Sequence, residues 1–159
     1  MAENTEIEER VERWLSGKLT TAEVYELTPE VAEALAEHGY LLYEEGRYDT
    51  ARVIFEALAA VNSSDPDTQK MLGSIYQIQN KWDAAYYHYT QSLRVAPNDI
   101  FVIANRGETL IHMQRPREAA EDLKRAIQLD PDGTNPVGRR ARVLFANLSK
   151  LQRWAPPRK

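Results

Sequence analysis

Apolar residues recur along this chain at helical spacing, and their register repeats every 34 residues. Three bulky apolar residues are separated by this step, Phe55, Tyr89 and Leu123. Three small residues are separated by the same step, Ala51, Ala85 and Ala119. A period of this length is typical of stacked helix-turn-helix units. The pattern therefore predicts an all-α fold, an α-solenoid of three helical pairs.

Three glycines lie in the same register, at Gly39, Gly73 and Gly107. A glycine inside a helix costs about 1 kcal/mol relative to alanine, so three of them in step indicate that a side chain must be missing there. Helices that pack about 8–10 Å apart leave little room at their crossing. We expect the three alanines to supply the matching small surface on the second helix, with the bulky residues filling the space one turn later.

The boundaries of the helices follow from caps, prolines and periodicity. First helices are predicted at 29–45, 66–79 and 99–114, and second helices at 48–61, 82–95 and 116–129, within repeats 32–65, 66–99 and 100–133. Residues 1–31 form an N-terminal helical segment with a helix at 5–16. Residues 134–155 form a capping helix with one apolar stripe, and 156–159 a flexible tail. The stripe comprises Val137, Ala141, Leu144, Leu148 and Leu151.

Composition narrows the function classes. The chain has 159 residues and no cysteine, which excludes disulfides and thiolate-bound zinc. The N-terminus is acidic and lacks an apolar core, and no apolar run approaches the roughly 18 residues of a membrane span. We therefore expect a cytoplasmic protein without stable membrane association. The net charge of −4 argues against nucleic-acid binding.

Charge is spread unevenly between the two ends. Residues 1–30 carry eight acids and three bases, whereas residues 138–159 carry seven bases and no acid. One interpretation is a solvated helix face plus a basic tail. The other is an electrostatic contact between the ends, within one chain or across a dimer.

The repeats resemble tetratricopeptide repeats. The small residue of that family matches the three glycines, and its paired alanine matches the three alanines. Its aromatic residue at the start of the second helix matches Tyr48 and Trp82, and its helix-ending proline matches Pro97 and Pro131. In place of the first-helix tryptophan stand Leu35, Gln69 and Ile103, and Pro116 replaces the third aromatic residue.

The whole layout is similar to the class II chaperones of bacterial type III secretion systems, which hold translocator proteins before export. An acidic N-terminal helix, three repeats and one amphipathic helix fit about 160 residues, and the stretch 35–65 carries the similarity best. The resemblance implies a chaperone that binds an extended segment of a translocator in its concave groove. It also implies a homodimer through residues 5–30, where Ile7, Val11 and Trp14 need cover. The alternative is a generic repeat scaffold for another bacterial assembly.

By the same resemblance, the first helix of each pair lines the groove. The implied peptide-binding residues are Ala36, Tyr40, Tyr43, Lys70, Ser74, Gln77, Phe101, Ala104, Asn105, Glu108 and Ile111. Tyrosines offer apolar area with a polar tip, and Gln77 and Asn105 are expected to bond to peptide backbone. Tyr40 and Tyr43 share a broad helix face, so one or both contact the ligand, or both merely pack within the first repeat.

For the other aromatic residues we expect Tyr48, Tyr76, Trp82 and Tyr89 in the core, and Tyr86 or Tyr87 exposed. A clamp for acidic C-terminal peptides, as in repeat proteins that bind heat-shock chaperones, would need a lysine and an asparagine in the first repeat and a lysine and an arginine in the third, and none of the four matching positions holds the required residue. Those positions are Ala36, Tyr40, Phe101 and Asn105.

An enzyme is not expected. His38, His88 and His112 occupy different phases of different repeats, so the pattern favours no metal site and no catalytic pair. The sequence also lacks a phosphate-binding loop or a dinucleotide fingerprint, which predicts no cofactor.

Overall fold

The computed structural model describes Arg13 and residues 29–154, with the backbone alone described at 149–154. Within 29–154 it has seven helices: α1 Pro29–Glu44, α2 Tyr48–Val61, α3 Pro66–Ile78, α4 Trp82–Val95, α5 Ile100–His112, α6 Pro116–Gln128 and α7 Pro136–Trp154. The predicted helix at 5–16 and the dimer contacts Ile7, Val11 and Trp14 lie outside the described residues. None of the described helices is long and apolar enough to span a membrane.

The helices pack in sequence order as three pairs and a final helix. We call α1–α2 repeat one, α3–α4 repeat two and α5–α6 repeat three. Contacts within pairs alternate with contacts of α2 on α3 and of α4 on α5, while α7 packs on both α5 and α6. Each of the six repeat helices begins within one residue and ends within two residues of its predicted position, and α7 begins two residues after the predicted start of the capping helix. The all-α repeat architecture is confirmed.

Local sequence explains where the helices begin. The carboxylate of Asp65 accepts a hydrogen bond from the backbone N–H of Thr68 at 2.7 Å, and that of Asp99 accepts from Val102 at 3.1 Å. Both aspartates are N-caps, which satisfy backbone donors that the first helical turn leaves free. Pro66 follows the first cap directly, at a position where its missing N–H costs nothing.

A second 34-residue register appears in the turns that end the first helices. Gly46, Asn80 and Gln114 all have positive φ, at 77°, 58° and 59°. In each turn the backbone N–H of the next residue bonds to a carbonyl five residues back, as Arg47 does to Leu42 at 2.9 Å. This is the Schellman ending of a helix. Glycine suits it, asparagine tolerates it, and glutamine is strained there.

The glycines in register make room for the bulky residues rather than for the alanines. A Cβ on Gly39 would lie 2.9 Å from Phe55 Cε2, and one on Gly73 would lie 2.5 Å from Tyr89 Cδ1. A Cβ on Gly107 would lie 3.1 Å from Leu123. The expectation of a close approach is correct, but its partner was assigned wrongly. The three alanines are fully buried, so they are small for reasons of core packing.

Three arginines of α7 attach it to the rest of the array. Arg142 donates to the carboxylate of the buried Asp130 at 2.7 Å, and this guanidinium holds the pKa of Asp130 below its ordinary value. Arg139 donates to the carbonyl of Thr134 at 2.8 Å. Gly138 packs directly on Asp130, where a Cβ would overlap the carboxylate. The third arginine, Arg140, points toward α5 and is described below.

The aromatic residues are less deeply buried than expected. Tyr89 is fully buried, as predicted. The expectation of core positions for Tyr48, Tyr76 and Trp82 is met only in part, because each is half-buried, although Tyr48 and Tyr76 pack against the core of repeat one. The hydroxyl of Tyr76, for example, reaches the carboxylate of Glu56 on α2. Tyr87 is exposed, in agreement with the prediction.

Candidate functional site

A cavity of about 410 Å³ opens on the side formed by the first helices of the pairs. We call it the central cavity. Residues from α1, α3, α4, α5 and α7, and from the α3–α4 turn, line it: Tyr43, Ser74, Gln77, Ile78, Asn80, Trp82, Tyr89, Phe101, Asn105, Glu108, His112 and Arg140. The lining combines aromatic and aliphatic side chains with amides and one pair of opposite charges. Such a mixture is typical of binding sites for other molecules.

Six of the eleven predicted groove residues line the central cavity. They are Tyr43, Ser74, Gln77, Phe101, Asn105 and Glu108. Phe101 is the most open apolar member of this set, with 37% of its surface exposed. Tyr43 also packs edge-on against Tyr48, with ring centroids 5.4 Å apart. The first helices therefore supply a common wall, as the family resemblance implies.

The other five predicted residues do not line it. Ala104 is fully buried in the core between α4, α5 and α6, which corrects its assignment to the groove. Ala36 and Tyr40 pack against the core of repeat one, where Tyr40 meets Phe55 edge-on at 5.4 Å. Ile111 packs against the cores of repeat three and α7. Each of these side chains is turned toward a neighbouring helix instead of the opening.

Lys70 is placed differently again. Its ammonium group is bonded to Asp67 on the same helix and lies 3.5 Å from the N-cap residue Asp99 of α5. The amine is therefore held between two carboxylates at the N-terminal ends of α3 and α5. It ties repeat two to repeat three and does not line the central cavity.

A chain of polar contacts forms the floor of the central cavity. The buried Tyr89 hydroxyl donates to Gln77 Oε1 at 2.7 Å, and Gln77 Nε2 donates to Glu108 Oε2 at 3.3 Å. Arg140 Nη1 lies 3.8 Å from the same Glu108 oxygen, and Arg140 Nη2 donates to Asn105 Oδ1. Burial raises the pKa of Tyr89, so its hydroxyl stays a proton donor at neutral pH.

These contacts correct the expected role of the two amides. Gln77 and Asn105 were expected to be free for hydrogen bonds to a peptide backbone. The structure instead engages both Gln77 ends and the Asn105 oxygen with partners inside the protein. Asn105 is also only 4% exposed. The amides thus hold the shape of the floor, and the more open side chains are left for contact with a ligand.

Six lining residues were missed as groove residues: Ile78, Asn80, Trp82, Tyr89, His112 and Arg140. The ring of Trp82 stacks flat on that of His112, with centroids 4.1 Å apart. Trp82 belongs to a second helix, and Arg140 belongs to the capping helix, so a rule based on first helices does not find them. Ile78 and His112 lie on first helices, each four residues after a predicted groove residue (Ser74 and Glu108), so helical phase could have found both.

The histidines lie apart from one another. His88 stacks on Tyr76, with ring centroids 5.3 Å apart, and its Nδ1 is hydrogen-bonded to Gln69 Oε1 at 2.7 Å. Burial lowers the pKa of His88, which favours the neutral ring. Among the described residues, no group of three His, Cys, Asp or Glu side chains could hold a metal ion.

Comparisons with known proteins agree with this geometry. The tetratricopeptide-repeat family model matches residues 102–132. The fold is a tetratricopeptide-repeat array. The translocator chaperone SycD of Yersinia enterocolitica superposes with a TM-score of 0.76 at 19% identity, covering 83% of this chain and 92% of SycD. The repeat fold predicted from the 34-residue period is therefore confirmed.

Sequence relatives fall into two groups. The peroxisomal targeting signal receptor of Candida glabrata is 34% identical over 71 residues, but this chain spans only 12% of its length. The chaperone protein SicA of Salmonella dublin is 23% identical over 146 residues, covering 89% of this chain and 86% of SicA. The array thus resembles the type III secretion chaperones over nearly its whole length, and the larger repeat proteins over a segment.

Proposed function

We propose that this protein is a cytoplasmic chaperone of a type III secretion system. It binds an extended segment of a translocator protein in the central cavity and keeps that client soluble before export. The observation that carries the proposal is the end-to-end similarity to SicA and SycD, since 86% and 92% of these chaperones are covered. SycD has also been solved in complex with a peptide of the translocator YopD.

The lining of the central cavity suits this role. Ile78 and Phe101 are 43% and 37% exposed and offer apolar surface from two neighbouring repeats. Burying two such anchors against a client gains roughly 1.5–3 kcal/mol each, from which the cost of ordering the peptide is subtracted. The floor beneath them is already hydrogen-bonded, so covering it leaves few polar groups without a partner.

Co-expression with a candidate translocator tests the proposal. Any translocator gene found beside the gene for this protein would provide the candidate, and the readout is the fraction of client that stays soluble. We expect the native chain to keep the client soluble and a variant with Ile78→Ser and Phe101→Ser to lose that effect. Both side chains are partly exposed, so their replacement should leave the fold intact, which a circular dichroism melt verifies.

A matched control is available on α4. Tyr87 is 57% exposed and does not line the central cavity, so Tyr87→Ser removes an exposed aromatic side chain elsewhere. We expect this variant to retain the client. If the client stays soluble with both variants, the central cavity is not its binding site. If no translocator is solubilised by the native chain, the generic repeat scaffold becomes the better description.

We also propose a homodimer through residues 5–30, in which Ile7, Val11 and Trp14 form the contact. Their spacing in the sequence predicts one apolar helix face, which would require cover. SycD has been crystallised as a dimer, and one of its structures is described as an alternative dimer. Sedimentation velocity should show a dimer for the native chain and a monomer for Val11→Asp. An unchanged sedimentation coefficient would refute this contact.

A further inference from the structure

Arg140 is the one residue that the described part of α7 contributes to the lining of the central cavity. Its guanidinium bonds to Asn105 on α5 and faces Glu108 at 3.8 Å. The Arg140 side chain is 45% exposed, whereas that of Glu108 is 26% exposed. The cation is therefore the more open half of the pair, and a ligand in the cavity meets it first.

The guanidinium keeps unused hydrogen-bonding capacity. It carries five N–H donors, and among the described residues it makes a hydrogen bond only to Asn105. The 3.8 Å separation from Glu108 is longer than the ~2.7–2.9 Å of a charge-assisted hydrogen bond. Solvent satisfies the remaining donors in the open cavity. A ligand that covers them with apolar groups would leave charged donors unpaired, which is costly.

We propose that Arg140 determines specificity by selecting client segments that place an Asp or Glu side chain against its free N–H groups. The inference rests on the proposed function and names the chemistry that the client must carry. A carboxylate is the favoured acceptor because it bonds to a guanidinium through two parallel N–H groups. A client without a carboxylate leaves N–H donors of Arg140 without an acceptor, which lowers its affinity. Arg140 therefore disfavours such clients in addition to attracting acidic ones.

The neighbouring wall sets the spacing of the client's side chains. Phe101 lies four residues, about 6 Å along the helix axis, before Asn105, to which Arg140 is bonded. In an extended peptide, alternate side chains lie on one face, and two residues span roughly 6.6 Å. An apolar side chain over Phe101 and a carboxylate at Arg140 therefore fit two positions apart. The expected client signature is an apolar residue with an acidic residue at the second position from it.

Arg139 provides a matched control on the same helix. It is exposed, donates to the carbonyls of Gly133 and Thr134 at 3.3 Å and 2.8 Å, and does not line the central cavity. Arg139→Gln and Arg140→Gln remove the same charge from adjacent positions. A long-range effect of net charge would change peptide binding in both variants. Recognition at the central cavity would change it only in Arg140→Gln.

The experiment uses a phage library of random peptides about twelve residues long, roughly 40 Å when extended. The library is selected in parallel on the full native chain, on Arg140→Gln and on Arg139→Gln. We expect the native chain and Arg139→Gln to enrich the apolar and acidic pair at the stated spacing. Selection on Arg140→Gln should retain the apolar residue and lose the acidic one.

Calorimetric titration then measures the interaction with one selected peptide. Its acidic residue is compared with the matching amide, Asp with Asn or Glu with Gln. On the native chain, this replacement should weaken binding about tenfold, the effect of one charge-assisted hydrogen bond. On Arg140→Gln it should change affinity less than about twofold, and Arg140→Lys should recover part of the difference.

The outcomes separate the inference from the proposed function. Peptides that bind the native cavity without acidic enrichment would overturn the role of Arg140 and leave the proposed function standing. Phe101→Ser serves as the control for binding in the central cavity. If no selected peptide binds the native chain more tightly than this variant, both the inference and the proposed function are overturned. Tighter binding of every peptide to Arg140→Gln would show that Arg140 competes with the ligand, which also contradicts the inference.

Discussion

Repeats two and three have the same backbone plan and different interiors. In repeat two, Gly73 faces the fully buried Tyr89, whereas in repeat three Gly107 faces Leu123. The hydroxyl of Tyr89 continues to Gln77 and the central cavity, which Leu123 cannot do. The 34-residue period thus fixes which positions meet, and the residue at each position decides whether the contact ends in the core or reaches the site.

The polar contacts differ in kind as well. His88 in repeat two is bonded to Gln69 at 2.7 Å, a pairing without an opposite charge. The equivalent Asp122 in repeat three accepts two hydrogen bonds from Arg106, at 2.7 Å and 2.8 Å. The two helices of repeat two are therefore joined by amides, hydroxyls and an imidazole, and those of repeat three by an ion pair. Substitutions at matched positions should show this contrast directly.

The largest expected effect concerns the ion pair of repeat three. Asp122→Ala removes the carboxylate that accepts two hydrogen bonds from Arg106, whose side chain is only 19% exposed. Leaving that charge unpaired should lower the free energy of unfolding by about 3 kcal/mol. Urea denaturation measures the loss, with the exposed neighbour variant Glu121→Ala as a control. A loss below about 1 kcal/mol would mean that the pair behaves like one on the surface.

The second effect concerns the glycines. Gly73→Ala brings a Cβ to 2.5 Å from the rigid, buried ring of Tyr89 and should destabilise the protein by about 2 kcal/mol. Gly107→Ala meets the flexible Leu123 at 3.1 Å, so its helix-propensity gain of about 1 kcal/mol should nearly cancel the strain. Thermal melts compare the two. In a Tyr89→Leu background, Gly73→Ala should cost less; an equal cost would exclude this contact as the cause.

A third effect should be stabilising. Gln114 ends α5 with φ of 59°, while its equivalent Asn80 ends α3 with φ of 58°. Asparagine adopts this conformation more readily than glutamine. Gln114→Gly should therefore raise the free energy of unfolding by about 0.5–1 kcal/mol, and Gln114→Asn by less. Chemical denaturation measures both changes. A decrease with Gln114→Gly would show that this turn does not strain the chain.

The smallest effect is a pH dependence from repeat two. Burial lowers the pKa of His88 in the folded state, so the unfolded chain takes up the proton first as pH falls through about 6.5. Stability should therefore decline between about pH 7 and pH 5.5, and His88→Gln should reduce that decline. Urea unfolding at several pH values gives the slope. An identical slope in the variant would assign the dependence to other groups.

Much of the fold could be predicted because its signals are local. Prolines and aspartate caps set helix starts within a few residues of themselves, and the 34-residue step gives the packing order. The groove residues were harder to predict, because adjacent positions on a helix can differ in whether they line the cavity or lie in the core. Ala104 and Asn105 are neighbours in sequence, yet Ala104 is in the core and Asn105 lines the central cavity.

The remaining features depend on partners far away in the chain. Gln77 meets Glu108, and Asn105 meets Arg140, over separations of 31 and 35 residues. No pattern in the sequence indicates which polar groups will pair once the repeats have stacked. The fit of Gly138 on Asp130 is of the same kind, since it depends on how α7 lies against the loop before it.

The polar chain from Tyr89 to Arg140 joins α3, α4, α5 and α7 beneath one opening. Helices linked in this way resist independent movement, so we expect the cavity to keep its shape when a ligand binds. Little conformational freedom is then lost on association, and more of the contact energy appears as affinity. On the proposed function, the central cavity is a preformed site, and the client segment makes the adjustment on binding.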